Sequence, residues 1–153
     1  MKEYIKATRE DADQIFEIVQ ESIRSTYPKY YPMEVVDFFC EHHCMENIIN
    51  DIDEGIMGIL MVDGKAVGTG CYRDNNIERV YVRSECQGKG YGSYIMDLLE
   101  EIIAKDHSVS RLDASLPASH LYEKRGYKTI THNKIPVENG VFLVFEIMEK
   151  VLY

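Results

Sequence analysis

Hydrophobic positions along the chain change their period several times, and each change marks an element. Ile15, Ile18, Val19, Ser22 and Ile23 recur at helical spacing and predict a first helix. Ahead of it, Tyr4–Ala7 reads as a short, edge-like strand, and Thr8-x-x-Asp11 is a capping-box pattern. The run T-Y-P-K-Y-Y-P is a loop by its two prolines. Pro32 suits the first turn of a second helix. Its stripe is Val35, Val36, Phe39 and His43, and Ile48, Ile49 and Ile52 carry the helical reading to about Asp53.

The second half alternates strands and helices. Ile56–Val62 and Lys65–Tyr72 flank Asp63-Gly64, a two-residue hairpin signal. After the turn Asp74-Asn75-Asn76, Ile77–Val82 is a β-branched and aromatic run. It meets the glycine-rich turn Q-G-K-G-Y-G, which opens into a helix with Tyr94, Ile95, Leu98, Leu99, Ile102 and Ile103 on one face, reaching about Lys105. Arg111–Ala114 is a short strand, and Pro117 starts a helix that stops at Gly126. Lys128–Val137 and Val141–Lys150 flank Glu138-Asn139-Gly140 as a second hairpin. The order is β-α-α-β-β-β-α-β-α-β-β. Tight turns make neighbouring strands antiparallel, and only the central crossover asks for a parallel pair. The fold class is therefore α/β (α+β): a mixed, mostly antiparallel sheet with helices on both faces.

Strand, glycine turn, helix is an arrangement that binds phosphates. Gly88, Gly90 and Gly92 carry no Cβ, so an anion can approach the backbone and the chain can take positive φ. The first N–H groups of the helix have no partner inside it and point at the ligand. The plainer reading is a helix start that needs glycine for a tight turn; three glycines at alternate positions weigh against it. A Walker A loop fails because Gly90, not Ser or Thr, follows Lys89. The dinucleotide fingerprint fails because the spacing is G-x-G-x-G and the site lies past mid-chain, which disfavours a nicotinamide enzyme.

What fits is Gln87-x-x-Gly90-x-Gly92 after V-Y-V. It resembles the acetyl-coenzyme A signature of the GNAT N-acetyltransferase superfamily, Gln/Arg-x-x-Gly-x-Gly/Ala. A second block, Ala118-Ser119-His120-Leu121-Tyr122-Glu123-Lys124-Arg125-Gly126-Tyr127, is similar to the family motif A-x-x-L-Y-x-x-x-G-F/Y. The element order also matches the GNAT fold over essentially the whole chain. The resemblance implies acetyl-coenzyme A as co-substrate, held by the loop Gln87, Gly88, Lys89, Gly90, Tyr91, Gly92 and Ser93. It implies that backbone groups of Tyr81 and Val82 pair with the pantetheine arm and acetyl carbonyl. Tyr122 matches the tyrosine that protonates the departing sulfur. Ser115 stands where the family often has asparagine, and it can bond the cofactor arm or cap the helix. Lys124 and Arg125 either meet the 3′-phosphate or complement a helix C-terminus.

Amide formation also needs a base, because a lysine-like amine of pKa about 10.4 is protonated at neutral pH. Glu78 is the candidate: on an unbroken strand it shares a face with Val80 and Val82. The alternative is a solvated glutamate, or one salt-bridged beside Arg79. Tyr27, Tyr30 and Tyr31 fall between the first two helices, where the family lines its acceptor site. They would cradle a cation or pack the second helix onto the sheet.

Composition narrows the rest. At 153 residues the chain is one domain with room for a core, and the resemblance implies that 1–153 is a single N-acetyltransferase domain. Net charge of −9 argues against a nucleic-acid partner and is compatible with a cationic substrate. No apolar run approaches a membrane span, and M-K-E-Y-I-K has no apolar signal region, so a cytoplasmic protein is expected. Cys40, His43 and Cys44 sit at i, i+3 and i+4 of the second helix, but no fourth zinc ligand is evident and no metal is expected. The expected reaction is direct acetyl transfer in a ternary complex to a primary amine of a small molecule or peptide. The alternatives are a protein N-terminal acetyltransferase and a non-catalytic coenzyme A-binding module. A monomer or a homodimer is expected, the latter through the C-terminal strands.

Overall fold

Asp63 and Gly64 both take positive φ, +50° and +81°, the geometry a two-residue hairpin turn demands. They join β2 (Met57–Val62) to β3 (Lys65–Arg73), and β4 (Asn76–Val82) returns beside β3. In the computed structural model, which describes residues 1–153, these strands are the centre of a seven-stranded sheet. Its order is β1-β2-β3-β4-β5-β7-β6, with β1 at Lys2–Lys6, β5 at Val109–Ala114, β6 at Lys128–Pro136 and β7 at Phe142–Val151. Only β4 and β5 run parallel. The sheet is mixed and mostly antiparallel, and helices cover both faces.

One face carries α1 (Ala12–Thr26), α2 (Met33–His42) and α3 (Met45–Asp53). Ile15, Ile18, Val19 and Ile23 of α1 are wholly buried there, so the stripe read in the sequence is the packing face. The other face carries α4 (Tyr91–Ala104) and α5 (Ser119–Lys124). Helix α4 sits close against β3 because Gly68 and Gly70 have no side chains. A Cβ on Gly70 would lie 2.7 Å from Ile95 and 3.0 Å from Leu99.

The helical stretch after Pro32 is two helices, not one. His43 (φ −102°, ψ 43°) and Cys44 (φ −71°, ψ 165°) leave helical geometry between α2 and α3. The carbonyls freed by the break are capped by side chains: Gln20 donates to the Cys40 and His43 oxygens at 2.9 and 3.1 Å, and Asn47 to the His42 oxygen at 2.8 Å. Cys40, His43 and Cys44 therefore do not share the face of one helix.

Strand β4 is not unbroken either. Its register against β3 slips between Thr69 and Cys71, so that Arg79 and Val80 together oppose Gly70. Arg79 takes φ +52°, the mark of a bulge. Val80 and Val82 face the α4 layer with Ile77, while Glu78, Arg79 and Tyr81 face the α1–α3 layer. Glu78 is thus on the face opposite Val80 and Val82, because a one-residue insertion reverses the alternation.

Candidate active site

The bulge has a second effect. Pairing between β4 and β5 stops after Asn76–Arg111 and Ile77–Leu112, and the strands part beyond it. Arg83 N–H bonds the Val67 carbonyl, so strand alternation puts the Val82 N–H on the opposite edge, facing the gap. The Val82 carbonyl on that edge accepts from Ser22 Oγ at 2.9 Å and from the Gln87 amide at 3.1 Å. Gln87 thereby straps the glycine loop to the end of β4.

Gly88 (φ +81°) and Gly90 (φ +84°) take the left-handed conformations that turn the loop into α4. Gly90 caps the helix with no side-chain hydrogen bond to its first N–H groups. Gly92 differs from the other two: its φ is not positive, and a Cβ there would meet only Val82 at an ordinary 3.8 Å. The fold itself does not require glycine at 92, whereas a ligand lying on the helix start would. Lys89 and Ser93 are exposed at this mouth and Tyr91 is half-buried. The loop, the uncapped N–H groups and the free edge of β4 form a continuous surface that fits a diphosphate followed by an extended arm.

A cavity of about 420 Å³ passes through the sheet at this gap. Val80, Leu112 and Tyr122 line it on the α4 side; Tyr27, Phe39, Tyr81 and Phe145 line it on the α1–α3 side. Glu78 and Ser115 reach the same cavity. Of the three loop tyrosines, Tyr27 lines it, its hydroxyl 3.2 Å from that of Tyr81. Tyr30 is half exposed and outside it. Tyr31 is buried, and its hydroxyl accepts the Leu116 N–H at 2.7 Å, anchoring the turn into α5.

Tyr122 packs edge-on against Tyr127, with ring centroids 5.9 Å apart. Its hydroxyl makes no hydrogen bond within the chain. Burial, reinforced by Tyr27 nearby, pushes the Tyr122 phenol up to about 12, so it keeps its proton at any ordinary pH. Helix α5 is held in place from behind. The buried Glu100 carboxylate accepts from Arg125 at 2.9 Å, Lys150 at 3.0 Å and Tyr127 at 2.9 Å. Arg125 also bonds Asp97 and Ser93, so its guanidinium is committed to the α4 surface. Lys124 remains exposed on α5.

Behind Glu78 lies a charged network that the sequence reading missed. Arg79 bonds Asp51 and donates its Nε–H to His43 Nδ1 at 2.8 Å; Arg73 bonds the other Asp51 oxygen at 2.9 Å. Burial and the guanidinium drive the His43 pKa well below its ordinary value, so the ring is neutral. The only signal in sequence was two adjacent charges, Glu78-Arg79, inside an alternating strand. Asp51, Cys71 and Glu78 have ligand atoms within 4.8 Å of one another. They make a poor metal set: both Asp51 oxygens are taken by guanidiniums, and burial raises the Cys71 thiol, which stays protonated.

The model of the acetyltransferase (GNAT) family matches residues 14–127. The chain belongs to this family. Solved structures agree on the fold. The GCN5-related N-acetyltransferase from Rhodopseudomonas palustris named "Aminotransferase, Class-II" superposes with TM-score 0.91 at 23% identity, covering 99% of this chain and 96% of that one. The PaiA N-acetyltransferase of Thermoplasma acidophilum, in complex with coenzyme A, gives 0.76 at 22%, with 99% of each chain covered. A ribosomal-protein-alanine N-acetyltransferase of Brucella melitensis gives 0.72 at 21%, covering 98% and 99%. No curated protein sequence matches the chain. No helix is long and apolar enough to cross a membrane. The matched GNAT span runs from Gln14, inside α1, to Tyr127 and so includes the glycine loop, Glu78 and Tyr122.

Proposed function

We propose that the protein transfers an acetyl group from acetyl-coenzyme A to a primary amine of a small molecule or peptide, directly and within a ternary complex. The observation that carries this reading is the cavity through the β4–β5 gap, with Glu78 facing the helical side α1–α3 and Tyr122 coming from the opposite layer. The glycine loop from Gln87 to Ser93 and the edge of β4 at Val82 hold coenzyme A, with Ser115 at the arm and Lys124 near the 3′-phosphate. The Tyr81 backbone is turned to β3, where it pairs with Thr69, so the expected pairing with the arm falls to Val82 alone. When bound, acetyl-coenzyme A supplies an acyl carbon activated as a thioester.

The chain's own groups then have three tasks. Glu78 takes a proton from the ammonium, directly or through one water, and frees the nitrogen lone pair. The Val82 N–H donates to the carbonyl oxygen as negative charge collects there and the C–N bond forms. Tyr122 gives its proton to the sulfur as the C–S bond breaks, and the amine's proton restores it through solvent. Tyr27 closes the acceptor side. The presence of both Glu78 and Tyr122 at one cavity supports an enzyme over a coenzyme A-binding module.

The test is thiol release from acetyl-coenzyme A over a panel of amines and peptides, with both substrates varied. Thiol is expected only when an amine is present, and reciprocal plots are expected to intersect. Parallel plots, or protein acetylated without amine, would replace direct transfer by a covalent intermediate. Bound acetyl-coenzyme A with no turnover on any amine would favour the binding module.

A further inference from the structure

The acceptor half of the cavity carries information about the body of the amine. Its wall is aromatic and aliphatic: Phe38 and Phe39 of α2 face Leu143 and Phe145 of β7, with Ile135 of β6 beside them. Phe38 and Phe39 meet edge to face at 6.0 Å, and Tyr27 stands against Phe39 at 4.8 Å, so rings already pack on rings here. Five ionisable groups other than tyrosine reach the cavity: His42, His43, Glu78, Arg79 and Asp113. The three cationic prospects are cancelled. Arg79 is ion-paired with Asp51, and the neighbouring Arg73 bonds Asp51 and Glu54, so two guanidiniums meet two carboxylates. His43 has its Nδ1 lone pair occupied by Arg79 and cannot take a proton there. His42 lies flat on Phe38, its ring 5.9 Å away, and burial and Arg79 lower its pKa. Glu78 and Asp113 remain, on adjacent strands at the open gap, with no cation paired to either.

We propose that the acceptor is a primary amine carried on an apolar, ring-sized body with no carboxylate near the nitrogen. This deepens the acetyltransferase reading and rests on it. Glu78 and Asp113 draw the ammonium to the gap, while the aromatic wall takes the body out of water. An amino acid would bring its carboxylate beside two unpaired carboxylates, with no free guanidinium or ammonium to receive it. A polyamine would leave charged nitrogens against the phenylalanines, where they lose hydration and meet no carboxylate.

The experiment compares 2-phenylethylamine, L-phenylalanine and spermidine, both as acceptors in thiol release and as ligands of the coenzyme A complex by calorimetry. The phenylethylamine is expected to lead in kcat/KM and in affinity, each by about tenfold or more over the other two. Phe38→Ala is expected to raise the ratio of the phenylethylamine KM to the ethylamine KM about fivefold or more. Equal or better use of phenylalanine or spermidine would overturn the inference, as would a Phe38→Ala variant that keeps the parent's ratio. If no amine turns over, the acetyltransferase reading fails. The calorimetric ranking then still decides whether the cavity selects this ligand class.

Discussion

Replacing Tyr122 with phenylalanine is expected to lower kcat by about 10²–10⁴-fold, the range for a lost general acid. The fold should be indifferent to the change. The phenol makes no hydrogen bond in the chain, and phenylalanine keeps the edge-on contact with Tyr127 at 5.9 Å. Affinity for acetyl-coenzyme A should stay within a few-fold of the parent, because the hydroxyl acts only as sulfur departs. The pKa direction adds a check. With the Tyr122 phenol pushed up to about 12, the parent rate should show no fall from loss of this proton up to about pH 10. A Tyr122→Phe variant with full turnover would make Tyr122 a packing residue. A variant that unfolds would contradict the uncommitted hydroxyl described here.

Glu78→Gln is expected to cost about 10²–10⁴-fold in kcat/KM near pH 7, and less as pH rises. The narrowing follows from the amine. At pH 7 an amine of pKa about 10.4 is free in only a few parts per ten thousand; by pH 9.5 about a tenth is free without help. Glutamine keeps the shape and the contact with Asn76, so the strand should hold. Kinetics at pH 7, 8 and 9.5 make the measurement. If parent and variant run in parallel across that range, Glu78 is not the base, and Asp113, the other unpaired carboxylate at the gap, is the next to replace.

Much of this architecture was legible in the chain. Asp63-Gly64 announced its hairpin because two positive φ angles leave few residue choices. Q-G-K-G-Y-G announced the turn into α4, and the stripe of α1 is its buried face. In α4 the stripe is only half right: Ile95, Leu99 and Ile103 are buried together with Met96 and Glu100, while Tyr94, Leu98 and Ile102 are half-buried, because Glu100 is drawn inward by Arg125, Lys150 and Tyr127. Two things were hidden, both set by contacts distant in sequence. The break at His43-Cys44 depends on Gln20 capping the freed carbonyls from a different helix. The bulge at Arg79 depends on Asp51 and His43, supplied by α3 and the end of α2. That bulge turns Glu78 to the acceptor face and ends the β4–β5 pairing. Local pattern recorded only the symptom, an E-R pair where a single outward charge would serve. The tyrosine cluster was legible as aromatic, but its division into Tyr27 at the cavity, Tyr31 at the α5 turn and Tyr30 in solvent is a matter of tertiary packing.

The site of acetyl-coenzyme A is tested most directly at Gly92. Gly88 and Gly90 take positive φ, so any substitution there strains the backbone with or without ligand. Gly92 does not, and the space around its missing Cβ is open apart from Val82 at 3.8 Å. The measurement is calorimetric titration of acetyl-coenzyme A into the parent chain and into Gly92→Val, with the melting temperature of each recorded alongside. A side chain on the first turn of α4 should block the phosphates while leaving the fold alone. The predicted result is a Kd raised at least about tenfold, or about 1.4 kcal/mol, with little change in Tm. A Gly92→Val chain that melts with the parent and binds acetyl-coenzyme A equally well would contradict the placement on the glycine loop.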